Sequence, residues 1–157
     1  MAAAAVALSA CGFTPLYGTP GVTAQLSGIQ VATPQGRVGQ LIREQLDDQF
    51  ARDSGAPPRY RMDLSLGETR YPRGLRIDNV ATRYEYVLTA TYVLTAVPSG
   101  TPVKRGQARV MVTYDSADQP YASIAAQQDG EERAAAELSR MIRLDLAQAL
   151  NQGPAGR

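Results

Sequence analysis

The sequence has no histidine, no tryptophan, one cysteine and one lysine among its 157 residues. Without histidine the chain cannot build a His-ligated zinc site, a Ser-His-Asp triad or a Cys-His nucleophile, and one cysteine excludes CxxC redox pairs and iron–sulfur clusters. Ser54, Ser65, Ser99 and Ser116 therefore lack an imidazole base, and a Ser-Lys arrangement would depend on Lys104 alone. Glycine-rich phosphate loops are missing as well, since Gly36 and Gly39 fit neither a G-x-G-x-x-G nor a Walker pattern. An enzyme would need a site of Asp, Glu, Tyr and Arg that no motif locates, so the expectation is a protein without catalytic residues, metal or cofactor. Charge of one sign is lacking too: sixteen Lys and Arg oppose fifteen Asp and Glu, so no global field recruits nucleic acid. No uncharged stretch reaches the ~20 apolar residues of a membrane-spanning helix.

What is present suits one globular domain: 44% of residues are hydrophobic, and the aromatic content is mainly tyrosine, eight against two phenylalanines. The chain opens on small and apolar residues, Ala2 to Ala10, followed at once by Cys11. This is the pattern of the end of a secretory signal peptide, and Leu8-Ser9-Ala10-Cys11 matches a bacterial lipobox. On that pattern residues 1–10 are a signal remnant and Cys11 is the acylated first residue of the mature chain. Several acyl chains, such as palmitate, hold a protein on a membrane where one gives only marginal binding. The bland alternative is a chance cysteine in a signal cut elsewhere, or a small buried thiol. Residues 11–21, rich in Pro and Gly, read as a flexible tether, and residues 153–157 as a disordered tail.

Between them, residues 22–152 read as a single α+β domain. The spacing predicts a first strand over 22–33, centred on Ile29 and Val31, then a helix over 37–53 with Val38, Leu41, Ile42, Leu46 and Phe50 on one stripe. Strict alternation marks strands over 60–67, 84–95 and 107–114, the longest carrying Tyr84, Tyr86, Leu88, Ala90, Tyr92 and Leu94 on one side. Short links make these three an antiparallel meander. A long helix over 124–151 follows. The order β-α-β-β-β-α gives a two-layer sandwich, a four-stranded, largely antiparallel sheet with two helices on one face.

Charge is segregated along the chain. From Arg59 to Arg109 nine basic residues meet four acidic ones; from Asp115 to Asp145 seven acidic residues meet three basic ones. Arg70-Tyr71-Pro72-Arg73-Gly74-Leu75-Arg76 is the densest basic stretch, expected at the link between the second and third strands. With Arg83, these arginines could receive a phosphorylated or carboxylated amphiphile, or could simply solvate a strand end and guard the sheet edge. The acidic pairs Asp47-Asp48 and Glu131-Glu132 point about 100° apart on a helix and read as exposed helix surface.

The lipobox with Cys11-Gly12-Phe13 and Leu16-Tyr17-Gly18, the Tyr-rich meander, Pro120-Tyr121-Ala122, and the final helix with Arg133-Ala134-Ala135, Leu138, Ile142 and Leu146 together resemble LptE, the lipopolysaccharide-assembly lipoprotein family of Gram-negative outer membranes. The resemblance implies a non-enzymatic lipoprotein on the periplasmic side of the outer membrane. It implies a partner, the LptD β-barrel translocon, which such proteins plug, and a ligand, lipopolysaccharide, delivered to the outer leaflet. By motif it carries over to Cys11 alone, as lipid attachment; Arg70, Arg73, Arg76 and Arg83 are candidate lipopolysaccharide contacts. An auxiliary periplasmic lipoprotein of an ABC-type lipid transporter would share the anchor and the α+β domain.

Overall fold

A computed structural model describes residues 20–152 except Asn79 and Ala117. Cys11, the signal remnant, residues 11–19 of the tether and the tail over 153–157 lie outside the described residues. The elements are α1 (Pro20–Leu26), β1 (Ile29–Ala32), α2 (Arg37–Gln49), β2 (Tyr60–Leu75), β3 (Ala81–Ala96), β4 (Pro102–Asp115) and α3 (Pro120–Asn151). The sheet order is β1-β2-β3-β4, with β1 parallel to β2 and the other pairs antiparallel. This is the expected α+β architecture, mostly antiparallel, with a third, short helix at the start.

That helix is a correction. Residues 22–26, expected as part of a strand, form α1, and Val22 and Leu26, four apart, are buried on its one inward stripe. Pro20 and Gly21, expected in the tether, are its first two residues; a proline tolerates that position because its missing N–H would have no partner there. The strand shrinks to Ile29–Ala32, of which Ile29 and Val31 face the core.

The second correction concerns the hairpin. The Arg/Pro/Gly stretch expected as a link is strand: β2 pairs with β3 from Tyr60↔Ala96 out to Leu75↔Ala81. Proline is excluded from central strands but accepted at an edge, and β1 covers only Tyr60 to Asp63, so Pro72 lies on a free edge. Gly74 takes φ 58, a left-handed conformation. A Cβ there would meet Thr82 Oγ1 at 2.7 Å, and that hydroxyl instead donates to the Gly74 carbonyl at 2.6 Å. The hairpin therefore extends ~50 Å at about 3.3 Å per residue, and from Gly67 to Leu75 every residue of β2 is exposed.

The core fills the space between one sheet face and the helices. Met62, Leu64, Tyr86, Leu88, Ala90, Tyr92 and Leu94 meet Ile42 and Leu46 of α2 and Leu138, Ile142 and Leu146 of α3 in one buried cluster. Gly106 sits opposite Tyr92 and leaves room for its ring, whose hydroxyl donates to Asp145 of α3. Gly130 makes the matching allowance on α3, where a Cβ would lie 2.9 Å from the Tyr114 ring. Glu131 is the third correction. Expected on exposed helix surface, Glu131 lies well inside α3, which starts at Pro120, and it is only 7% exposed. Its carboxylate accepts from Arg37 Nε at 3.2 Å and Gln127 Nε2 at 2.8 Å, while Glu132 takes Arg37 Nη2 at 2.7 Å. One arginine thus fastens the start of α2 to α3.

Candidate functional site

Two ends of the domain differ. Where β2 begins, the Gly28 carbonyl accepts from the N–H groups of Arg59 and Tyr60 at 2.9 and 3.1 Å, which joins β1 to the sheet directly after α1. β1 thus joins the sheet at the end opposite the hairpin tip. At the tip, Leu75, Ile77 and Val80 are exposed, Ile77 completely. Arg76 reaches Asp118 at 2.9 Å and so draws the segment before α3 to the turn, which brings exposed Tyr121 and Ile124 to the same end. Exposed aliphatic side chains grouped in this way mark an interaction surface rather than ordinary surface scatter.

Three of the four candidate arginines gather behind that apolar tip. Arg73 and Arg83 are register partners. Arg73 donates to Glu85 at 3.2 to 3.3 Å, and Arg83 Nε donates to Asp115 at 2.7 Å. With Gly74 and Thr82 they line a shallow recess of about 500 Å3, and a second one of about 440 Å3 is lined by Arg76, Ile77 and Asp78. The Asp115 carboxylate holds the Arg83 guanidinium above its ordinary range, which keeps it cationic. Arg73 also lies 5.7 Å from the centre of the Tyr71 ring, within cation–π reach. Arg70 stands apart: it is in register with Tyr86, on the helix side of the sheet, and has no carboxylate partner among the described residues.

Whereas the Glu85 side chain, which holds Arg73, is only 18% exposed, the partners of Arg83 and Arg76 are themselves open to solvent, with Asp115 side chain 74% and Asp118 side chain 81% exposed. Such pairs contribute about 0 to 1 kcal/mol, so a phosphate or carboxylate offering a bidentate fit can displace them. The recesses can therefore take anionic groups while the aliphatic turn takes an apolar one. Leu75, Ile77 and Val80 escaped the sequence reading because they sit in an Arg/Pro/Gly stretch; the available signal was that apolar residues in a turn have no core to enter.

Tyrosines line the other face of the hairpin. Tyr84 stacks on Tyr114, with ring centres 5.6 Å apart and planes inclined by 22°. The Tyr86 hydroxyl donates to Glu68 at 2.7 Å, and burial, then that carboxylate, pushes it well above the ordinary value of 10.0. These contacts position the hairpin on the core. Among the described residues no group of three or more Cys, Asp or Glu is placed to hold a metal ion.

The family model for LptE, described as lipopolysaccharide-assembly, matches residues 23–146. A crystal structure of a candidate lipoprotein from Caulobacter crescentus CB15 is 51% identical, covers 86% of this chain and 99% of its own, and superposes with a TM-score of 0.73. The rare lipoprotein B of Shewanella oneidensis, at 11% identity, shares the fold with a TM-score of 0.59 over 79% of this chain and 95% of its own. Lipoprotein B of Nitrosomonas europaea does so at 11% identity and a TM-score of 0.53, over 82% and 90%. No curated protein matches the chain in sequence.

Proposed function

The chain belongs to the LptE family of lipopolysaccharide-assembly lipoproteins, and from that premise we propose that it is acylated at Cys11, held on the periplasmic side of the outer membrane, and seated in an LptD-like β-barrel, where it handles lipopolysaccharide on its way to the outer leaflet. The role is one of binding and scaffolding, in keeping with the family's non-enzymatic character. The observation that carries the reading is the separation of the two ends. The amino-terminal strand joins the sheet at the base of β2, and the apolar, arginine-backed tip lies ~50 Å away along the hairpin. A bilayer including its headgroup regions is about 40 to 45 Å thick. A domain tethered in the inner leaflet and threaded through a barrel can thus present its tip at the far side. No described helix is long and apolar enough to cross a membrane. The polar lumen of such a barrel suits the mixture of Arg, Thr and Tyr on the hairpin.

The test places a photo-crosslinking amino acid at Ile77 and, separately, at half-buried Arg52, in the full-length lipoprotein in cells. The expected result is a cross-link from Ile77 to an outer-membrane barrel, dependent on Cys11. Cross-links only to inner-membrane permease components would favour the auxiliary transporter lipoprotein and refute the barrel. In parallel, replacing Arg70, Arg73, Arg76 and Arg83 by Ala is expected to weaken binding of purified lipopolysaccharide more at low than at high salt. Unchanged affinity in a folded variant rejects those arginines as contacts.

A further inference from the structure

The helices pack on one side of the sheet and leave the other side open. In the half nearer the base, successive rows of this open side read Gly67, Thr89, Arg109; then Ser65, Thr91, Gln107; then Asp63, Val93, Arg105. Arg105 and Arg109 differ from the tip arginines in having no carboxylate partner among the described residues, whereas Arg61, Arg73, Arg76, Arg83 and Lys104 each have one. Asp63, the acid in the Arg105 row, is already held by Arg61 at 2.9 Å. We infer that this half of the open face, built on Arg105 and Arg109, is a binding site for an acidic oligosaccharide. The inference rests on the lipopolysaccharide reading above and assigns the sugar part of such a ligand to a surface separate from the tip.

Four residues apart on one strand, the two guanidinium groups leave the same face about 13 Å from one another at the backbone. That separation is too large for both to clasp one phosphate and suits two anionic groups spaced along an extended chain. Between them lie Gln107, Thr91 and Ser65, all exposed and without side-chain hydrogen bonds among the described residues. They offer hydroxyls and an amide to a polyhydroxylated ligand, which presents donors and acceptors along its whole length. Gly67, lacking a side chain, keeps the platform flat beside Thr89, whose hydroxyl donates to the Gly67 carbonyl at 3.1 Å. An acidic protein surface is the less suitable occupant. Protein interfaces centre on buried aromatic or aliphatic anchors, and this half of the face offers only Val93, already half-buried.

The experiment measures binding of the intact chain, by calorimetry at two salt concentrations, to three probes: purified lipopolysaccharide, the acidic core oligosaccharide freed from it by mild acid hydrolysis, and polyglutamate. The native protein is expected to bind the oligosaccharide with a marked salt dependence. Arg105→Ala with Arg109→Ala is expected to weaken that binding at least tenfold and to flatten the salt dependence, with an unchanged circular dichroism spectrum, while Arg73→Ala with Arg83→Ala leaves it intact. Replacement of both by Lys, which keeps charge but loses the planar fork, is expected to give an intermediate loss. No binding of the oligosaccharide by the native chain, undiminished binding by the Ala variant, or equal binding of polyglutamate overturns the site. Uptake of the oligosaccharide by a native chain that ignores intact lipopolysaccharide supports the site and refutes the lipopolysaccharide-handling role instead.

Discussion

Replacing Gly106 by Ala is expected to destabilise the domain by about 3 kcal/mol, although the residue lies on an edge strand. A Cβ at this position would come closer than 3.0 Å to Cζ, Oη and Cε2 of the Tyr92 ring. Tyr92 is only 3% exposed and belongs to the core cluster, so the ring must move within close-packed surroundings; overpacking of this kind costs roughly 1–3 kcal/mol. Moving the ring also withdraws its hydroxyl from Asp145, which then keeps only Lys104 Nζ at 3.0 Å, and a hydrogen bond to a charged group contributes about 1.5–3 kcal/mol. Removing glycine from a strand returns about 0.5–1 kcal/mol. With a urea slope near ~2 kcal/mol per molar, the unfolding midpoint should fall by about 1.5 M at constant slope. In a Tyr92→Leu background, where Cζ and the hydroxyl are gone, the same substitution should be neutral to within ~0.5 kcal/mol. An equal penalty in both backgrounds, or a midpoint shift below about 0.3 M in the native background, would refute the proposed ring contact.

Three further outcomes are expected. Burial, reinforced by Glu68 and Asp145, raises the Tyr86 and Tyr92 hydroxyls above 10.0 in the folded chain. The stability from keeping them protonated is complete below pH 10 and is lost as pH rises further, at up to about 2.7 kcal/mol per pH unit for the two; urea midpoints across pH 9 to 11 should fall more gently in Tyr86→Phe with Tyr92→Phe. Ile142→Ala, at a fully buried position of α3, should cost about 2–5 kcal/mol, against less than about 1 kcal/mol for the neighbouring Met141→Ala at a partly exposed one; similar thermal shifts for both would contradict the assigned helix face. Ile77→Ser should change stability by no more than ~0.5 kcal/mol, and a large fall in melting temperature would mean that the tip packs on something within the domain.

Period-two alternation made β3 legible, because Tyr84 to Leu94 must place six side chains on one buried face, and the same holds for Tyr60 to Leu66. The stripe Val38, Ile42, Leu46 likewise identified α2, and Leu138, Ile142, Leu146 identified α3. The outer half of β2 was illegible because Pro72 and Gly74 are turn signals in a central strand and acceptable ones on a free edge; only the extent of β1 decides which applies. Residues 22–26 carry too short a pattern to distinguish a turn and a half of helix from a strand, and their burial against α3 is a tertiary choice. Glu131 gives no local sign of burial, since its partner Arg37 stands 94 residues earlier. For the candidate site, the arginines near the tip could be named from composition, but which of them carry carboxylate partners depends on the registers of β3 with β2 and β4, and on the approach of Asp118 to the turn. Composition singled out the basic sheet yet had no means to separate Arg105 and Arg109 from the neutralised ones.

The parallel attachment of β1 has a mechanical consequence. β1 starts at the base and runs in the same direction as β2 through four register pairs from Ile29↔Tyr60 to Ala32↔Asp63. A pull on the amino-terminal side, along the strand axis and away from the tip, loads these pairs side by side in shear instead of opening them one after another. Because all four must yield together, a chain hauled by its leading end resists tension at the point where it joins the sheet.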